Sequence, residues 1–311
     1  MLNSTFNPPE SIPDLSGRVF FVTGGTTGLG AGFVSFIAAK KPAKIFFSGR
    51  NQARADELIA KVKALSPGTD VIFIQCDLAS LASVQQAAKQ FLSQSDRLDN
   101  LMCNAGVMAL QPGLSKDGYE IQFATNHIGH ALLIKLLAPV MLKTAEQPNS
   151  DVRIINLSSV AYRAAPESGV EFDTLKTTQK SLGPFYAPSK WVRYGQSKLA
   201  NLLYPIELAQ KYPSIKCVAV HPGFVKTELH TVNNHADWAL LNVISKGNWT
   251  PVEEGPYNQT WAATTPKDFL ESGAYYEPVG NKVVPTTAQG KDKALAKKLF
   301  DWTEKELAAW S

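Results

Sequence analysis

The chain of 311 residues is 44% hydrophobic and 19% charged, the composition of a soluble globular protein long enough for one large α/β domain or two small ones. A formal net charge of +4, with both signs mixed along the chain, leaves no footprint for nucleic-acid binding. Three widely spaced cysteines (Cys76, Cys103, Cys217) and histidines without ligand spacing argue against a disulfide framework and a metal site. The cysteines lie in or beside apolar runs and read as buried thiols. No apolar run approaches the roughly twenty residues of a membrane span.

Residues 1–17 are polar, carry Pro8, Pro9 and Pro13, and lack the apolar stretch of a signal peptide. They read as an extended arm, and the setting expected is soluble, reducing and cytoplasmic. From 18 onward strands and helices alternate. Strands are expected at 18–23, 44–50, 71–77, 98–103, 151–159 and 215–220. Helices are expected at about 28–40, 51–64, 81–94, 119–142 and 194–211, with 160–188 irregular. Each strand is a continuous apolar run, which indicates a parallel sheet covered on both faces. No repeat or linker divides residues 18–311. After about 228 the rhythm changes: Trp238, Trp249 and Trp261 fall in a helical stretch, and Trp302 and Trp310 in a final charged helix. That extension suits a substrate lid, or tryptophans that only seal the core.

The first strand ends in Thr23-Gly24-Gly25-Thr26-Thr27-Gly28-Leu29-Gly30, and apolar residues then resume. Strand, glycine turn and helix together make a phosphate cradle. Gly24 and Gly25 turn the chain, Gly28 removes a side chain where a pyrophosphate approaches, and Gly30 lets the helix pack closely. Alone, the pattern fits an ordinary glycine-rich turn equally well. The second strand ends in Ser48-Gly49-Arg50-Asn51 and lacks the carboxylate that marks NAD. Arg50 suits a 2′-phosphate, with Ser48 or Asn51 donating, so NADP(H) is expected over NAD. Asp77 ends the third strand, placed either to accept from an adenine amino group or to fill a turn.

Tyr194 and Lys198 stand four apart on a helix and share a face. A nearby cation favours phenolate and tunes a tyrosine for general acid–base work near neutral pH. Tyr186 and Lys190 have the same spacing, but Pro188 between them argues against a helix through Tyr186.

These motifs resemble, in order, those of the classical short-chain dehydrogenases/reductases. They are Thr23-Gly24…Gly28-Leu29-Gly30, Asp77-Leu78, Asn104-Ala105-Gly106, Asn126, Ser158-Ser159, Tyr194…Lys198 and Pro222-Gly223…Thr227. Residues 125–130 and 194–201 are similar to the retinol-dehydrogenase and WW-domain-oxidoreductase-like group. The resemblance covers about 15–227 well. It implies a doubly wound Rossmann domain: a mostly parallel sheet, helices on both faces and a C-terminal helical substrate region. It implies a catalytic tetrad. Tyr194 exchanges the proton, Lys198 lowers its pKa and holds the nicotinamide ribose, and Ser159 donates to the carbonyl oxygen with Ser158 a bystander. Asn126 keeps a helix distortion and a relay water. Cofactor contacts are implied for Gly24, Thr26, Thr27, Gly28, Leu29, Gly30, Arg50, Asn51, Asp77, Leu78, Asn104, Ala105, Gly106, Tyr194, Lys198, Pro222, Gly223, Val225 and Thr227. It also implies a homodimer paired through the helices of Asn126 and Tyr194. The 35 residues from Ser159 to Tyr194 are long for the family, and neither a membrane anchor nor a WW domain is expected, so retinoid specificity is not expected to transfer. Phe172, Phe185, Trp191, Trp238, Leu240 and Leu241 are available for an apolar pocket, which suits a lipophilic ketone or alcohol. The alternatives are a non-catalytic NADP(H) sensor or scaffold and a sugar-nucleotide epimerase.

Overall fold

The computed structural model describes residues 6–185, 187–226, 237, 241–242, 245 and 247–310. Tyr186, Thr227, Trp238 and Leu240 lie outside the described residues. The first half runs β1 (Val19–Val22), α2 (Gly28–Ala38), β2 (Lys44–Gly49), α3 (Gln52–Leu65), β3 (Val71–Gln75), α4 (Leu81–Leu92) and β4 (Asn100–Cys103), preceded by α1 (Pro8–Ser11). It continues with α5 (Ile121–Ala145), β5 (Arg153–Leu157), α6 (Ser189–Lys211) and β6 (Lys216–Val220). Then come α7 (Tyr257–Thr264), β7 (Tyr275–Glu277), β8 (Asn281–Lys282), α8 (Ala288–Lys291) and α9 (Lys293–Glu306).

The strands form one sheet in the order β3-β2-β1-β4-β5-β6-β7-β8, parallel except for the β7–β8 pair. The order reverses between β1 and β4, where the loops leaving the two strand ends part and open a crevice. Strand alternation supplies both cores. Val19 and Phe21 join Val84, Phe91, Leu132, Leu203 and Leu299 on one face, while Phe20 and Val22 join Phe33, Ile37, Leu58 and Trp261 on the other. The three cysteines are buried and free.

Several expectations need correction. Residues 6–17 are not a simple extended arm: they contain α1, and Ile12 and Leu15 are buried in the core. The helix expected from 194 begins at Ser189, directly after Pro188. β7 and β8 were missed, because Tyr275-Tyr276-Glu277 is too short to show a period and Pro278 follows it. An apolar helix long enough to cross a membrane does exist, α5, but 67% of its apolar window is buried within the fold. Trp261 packs on Tyr276, and Trp302 on Tyr119, Phe123 and Phe172, so both seal the core.

The expected pairing through α5 and α6 meets an obstacle. α9 lies across them, burying Leu295, Ala296, Leu299 and Thr303. His127 Nε2 is 3.0 Å from Thr303 Oγ1, Phe300 stacks on Tyr204, and Glu304 pairs with Lys135 and Lys211. α9 thus covers the part of α5 and α6 that carries His127, Lys135, Tyr204 and Lys211.

Candidate active site

The turn between β1 and α2 folds back on itself. Gly28 has φ +54°, a left-handed conformation that side chains disfavour. A Cβ on Gly30 would lie 2.2 Å from the Gly24 carbonyl and 2.7 Å from Asn104 Nδ2, so the bare carbon keeps the turn closed. Thr27 precedes α2 without a side-chain cap, leaving the first-turn amides to an outside acceptor. Asn104, at the end of β4, donates to the carbonyls of Thr23 (2.8 Å) and Gly24 (3.2 Å), and Gln259 donates to it. Two strand ends are thus tied at the point where the sheet order reverses.

Gly24, Thr26, Thr27, Gly28, Leu29 and Gly30 line a cleft of about 2050 Å³. So do Ser48, Arg50, Asp77, Leu78, Asn104, Ala105, Gly106, Pro222, Gly223 and Val225. Asn51 does not line it; its Oδ1 caps α3 by accepting from the Arg54 amide at 3.1 Å. Arg54, which sequence reasoning missed, does line it, one turn beyond Arg50. Its basic side chain in the first turn of α3 was the available signal. Asp77 fills the turn role, accepting from the Ala79 amide (3.1 Å), and it also lines the cleft.

Ser159, Tyr194 and Lys198 line the same cleft. Tyr194 and Lys198 lie one turn apart on α6, and Lys198 Nζ stands 5.7 Å from the Tyr194 ring centroid while donating to the Leu157 carbonyl at 2.9 Å. Ser159 Oγ accepts from the Ala161 amide at 3.2 Å and stands beside the Tyr194 phenol, where it favours the phenolate. Ser158 turns away and donates to the Lys198 carbonyl at 2.7 Å. The segment after Ser159 rests on α6 at Gly195, where a Cβ would lie 2.7 Å from the Ala161 carbonyl.

Asn126 sits in a π-turn, Ala124–Ile128, that interrupts α5, a distortion that occurs often at functional sites. Its Oδ1 accepts from the Val107 amide (2.8 Å), and its Nδ2 donates to the Val107 carbonyl and to Ser197 Oγ, both at 2.9 Å. A Cβ on Gly106 would lie 3.2 Å from Asn126 Oδ1 and 3.4 Å from Lys198 Nζ, so Asn126 and Lys198 converge beside the cleft.

The expected lowering of the tyrosine pKa is not seen. Burial pushes Tyr194 up to about 12, Ser159 opposing. Burial also brings Lys198 down to about 8. The reason is geometric: the ammonium stands over the ring, and desolvation acts on both groups. His221, also missed, directly follows β6 and lines the cleft; burial holds it near 3, hence neutral.

Met108, Trp191 and Leu241 cluster with Tyr194, and Leu110, Val192 and Phe224 also line the cleft. Of the expected pocket residues, Trp191 and Leu241 are there. Phe172 packs on Trp302 instead, and Phe185 is fully exposed. This side is held by buried polar groups. Arg193 pairs with Glu120 at 3.2 Å, both side chains wholly buried, and donates to the carbonyls of Leu110 (2.8 Å) and Gln179 (3.1 Å). Gln196 donates to Gln179 Oε1 and accepts from the Glu171 amide. Asp237 accepts from Trp191 Nε1 at 2.8 Å and pairs with Lys190 at 2.5 Å. Lys190 thus has a partner on the substrate side, apart from Lys198.

Residues 18–176 match the short chain dehydrogenase family. The chain is similar to the short-chain dehydrogenase/reductase drtF of Aspergillus calidoustus, 33% identical, covering 96% of each chain. It is 35% identical to an uncharacterized oxidoreductase of Schizosaccharomyces pombe, covering 97% of this chain and 87% of that one. Among solved structures it resembles the NADPH-bound carbonyl reductase from chicken fatty liver: TM-score 0.61, 26% identity, 86% of this chain and 99% of that one.

Proposed function

The chain belongs to the short chain dehydrogenase family, and on that premise we propose that it is an NADP(H)-dependent oxidoreductase acting on a carbonyl or secondary alcohol of a lipophilic small molecule. The observation that carries this reading is the meeting of Ser159, Tyr194 and Lys198 with the glycine turn in one cleft. The residues present fit a dinucleotide: uncapped first-turn amides of α2, a turn with no room for a Cβ at Gly30, and two arginines at the far end. When bound, the nicotinamide supplies the hydride chemistry. Gly28, Leu29 and Gly30 would hold its phosphates, and Arg50 with Arg54 the 2′-phosphate. The NADPH bound to the similar carbonyl reductase from chicken fatty liver supports the same choice.

In reduction, Tyr194 gives its proton to the substrate oxygen; in oxidation it takes one. Ser159 donates to that oxygen and stabilises negative charge as it develops. Lys198 replaces the phenol's lost proton and holds the phenolate electrostatically, and Asn126 fixes the Val107 backbone beside it. Burial of Tyr194 keeps the phenol protonated at neutral pH, the form a reductase needs as donor. Met108, Trp191 and Leu241 present an apolar wall to the substrate. NADPH oxidation by wild type and by Tyr194→Phe, over a panel of ketones, quinones and aldehydes, tests the proposal. Turnover by wild type alone is expected. Equal turnover by both removes Tyr194 from its role. NADPH binding with no turnover of any carbonyl favours a sensor.

A further inference from the structure

His130 lies one turn beyond Asn126 on α5, and the chemistry proposed above does not use it. It is 3% exposed, and both ring nitrogens have partners. Nδ1 is 2.9 Å from the Asn126 carbonyl and Nε2 is 2.8 Å from Thr23 Oγ1. A carbonyl only accepts, so Nδ1 carries the hydrogen. Burial, aided by the nearby Lys198 charge, lowers the imidazole to about 4, so the ring is neutral and Nε2 is a lone pair. The Thr23 hydroxyl therefore donates to Nε2. The same oxygen accepts the amides of Asn104 and Ala105, each at 3.0 Å. Every link then has one direction, from the Asn104 and Ala105 amides through Thr23 and His130 to the carbonyl of Asn126.

The two ends of this chain matter. Asn104 and Ala105 line the cleft, and Asn126 grips Val107 and, through Ser197, reaches the Tyr194 carbonyl, to which Ser197 Oγ donates at 2.7 Å. His127, three residues earlier, faces Thr303 on α9 and takes no part. An apolar side chain at 130 would leave the Thr23 hydroxyl only the longer contact to the Met102 carbonyl (3.3 Å), and one lone pair of the Asn126 carbonyl without this partner in a dry interior.

We infer that His130 is a positioning residue for the proposed reaction: a fixed donor–acceptor pair that registers the π-turn of α5 against the strand ends lining the cleft. The inference rests on the oxidoreductase reading, so the test separates the two. His130→Leu removes both hydrogen-bonding atoms at similar bulk; His130→Gln keeps one donor and one acceptor. His130→Leu should lower kcat by about tenfold or more and shift the pH profile of kcat/KM, while His130→Gln stays within roughly threefold of wild type. Hydrogen exchange at 104–107 should quicken in the leucine variant alone. Thr23→Val cuts the same chain elsewhere, should act in the same direction, and should not add to His130→Leu. Wild-type kcat and pH profile in His130→Leu overturn the inference. Equal losses in the two His130 variants also overturn it, reducing His130 to packing. Should wild type turn over no carbonyl, the function proposal fails on its own, and unchanged exchange at 104–107 in His130→Leu would still overturn the registry.

Discussion

Around Arg50 the cleft is lined by strand ends and by the first residues of helices; around Arg163 it is lined mostly by a short 3-10 helix, Val160–Ala164, and by irregular segments. The first region is placed by backbone. β1, β2 and β4 run parallel in fixed register, and the turn after β1 is held closed by backbone carbonyls and Asn104. The second is placed by side chains. Arg193, Gln196 and Asp237 reach out from, or into, α6 and hold the surrounding segments by buried polar bonds. A wall hung on side chains is specified by pairs distant in sequence, and one buried change can release it.

The largest effect expected falls where the two regions meet. Tyr194→Phe should lower turnover by about 10²–10⁴-fold and leave NADPH affinity unchanged, read by steady-state kinetics and a fluorescence titration. A matching loss of affinity would mean that the tyrosine serves the cofactor region instead. Next, Arg193→Met leaves Glu120 buried without its cation, and about 3–5 kcal/mol of stability should go. Denaturant unfolding measures the loss, and hydrogen exchange locates it. Opening should concentrate at 171–182 and around 110; faster exchange in β1 and β4 would erase the contrast.

These two regions differed equally in how far they could be read in advance. The strand and helix order, the glycine turn and the Tyr194–Lys198 spacing are local patterns, visible in windows of a few residues. The role of Arg193 is not, because its partners Leu110, Glu120 and Gln179 lie far off along the chain or in irregular structure. The same holds for Asp237, whose partners Lys190 and Trp191 lie 47 and 46 residues away. The direction of the Tyr194 shift was misjudged because spacing reveals the cation but not the burial.

Smaller effects sharpen the contrast. Arg50→Ala should weaken NADPH binding by about 1.5–3 kcal/mol and NADH much less, measured by titration with each cofactor. Equal losses would detach Arg50 from the 2′-phosphate, and Arg54→Ala is the companion test. Acid should reach the fold through its buried histidines. His127, His130 and His221 are held by burial near 3, 4 and 3, below the ordinary 6.5. The unfolded chain therefore binds more protons between about pH 6.5 and pH 3, so this stability is complete above 6.5 and falls as pH drops. Melting temperature should decline across that window; a flat profile would contradict the neutral histidines. Smallest of all, Asp237→Asn should raise substrate KM by about fivefold, with the KM for NADPH unmoved.

The Arg193 cluster also bears on how such a protein can be altered. The stretch from 160 to 188 looks like a part that could be exchanged to change substrate preference, since it enters after β5 and leaves before α6. Yet its shape is read out by Glu120, Arg193 and Gln196, which lie outside it. A loop transplanted alone would arrive without its mould. The unit of inheritance on this side of the cleft is the loop with those three residues, and chimeras that carry all four pieces together are the ones expected to keep a folded pocket.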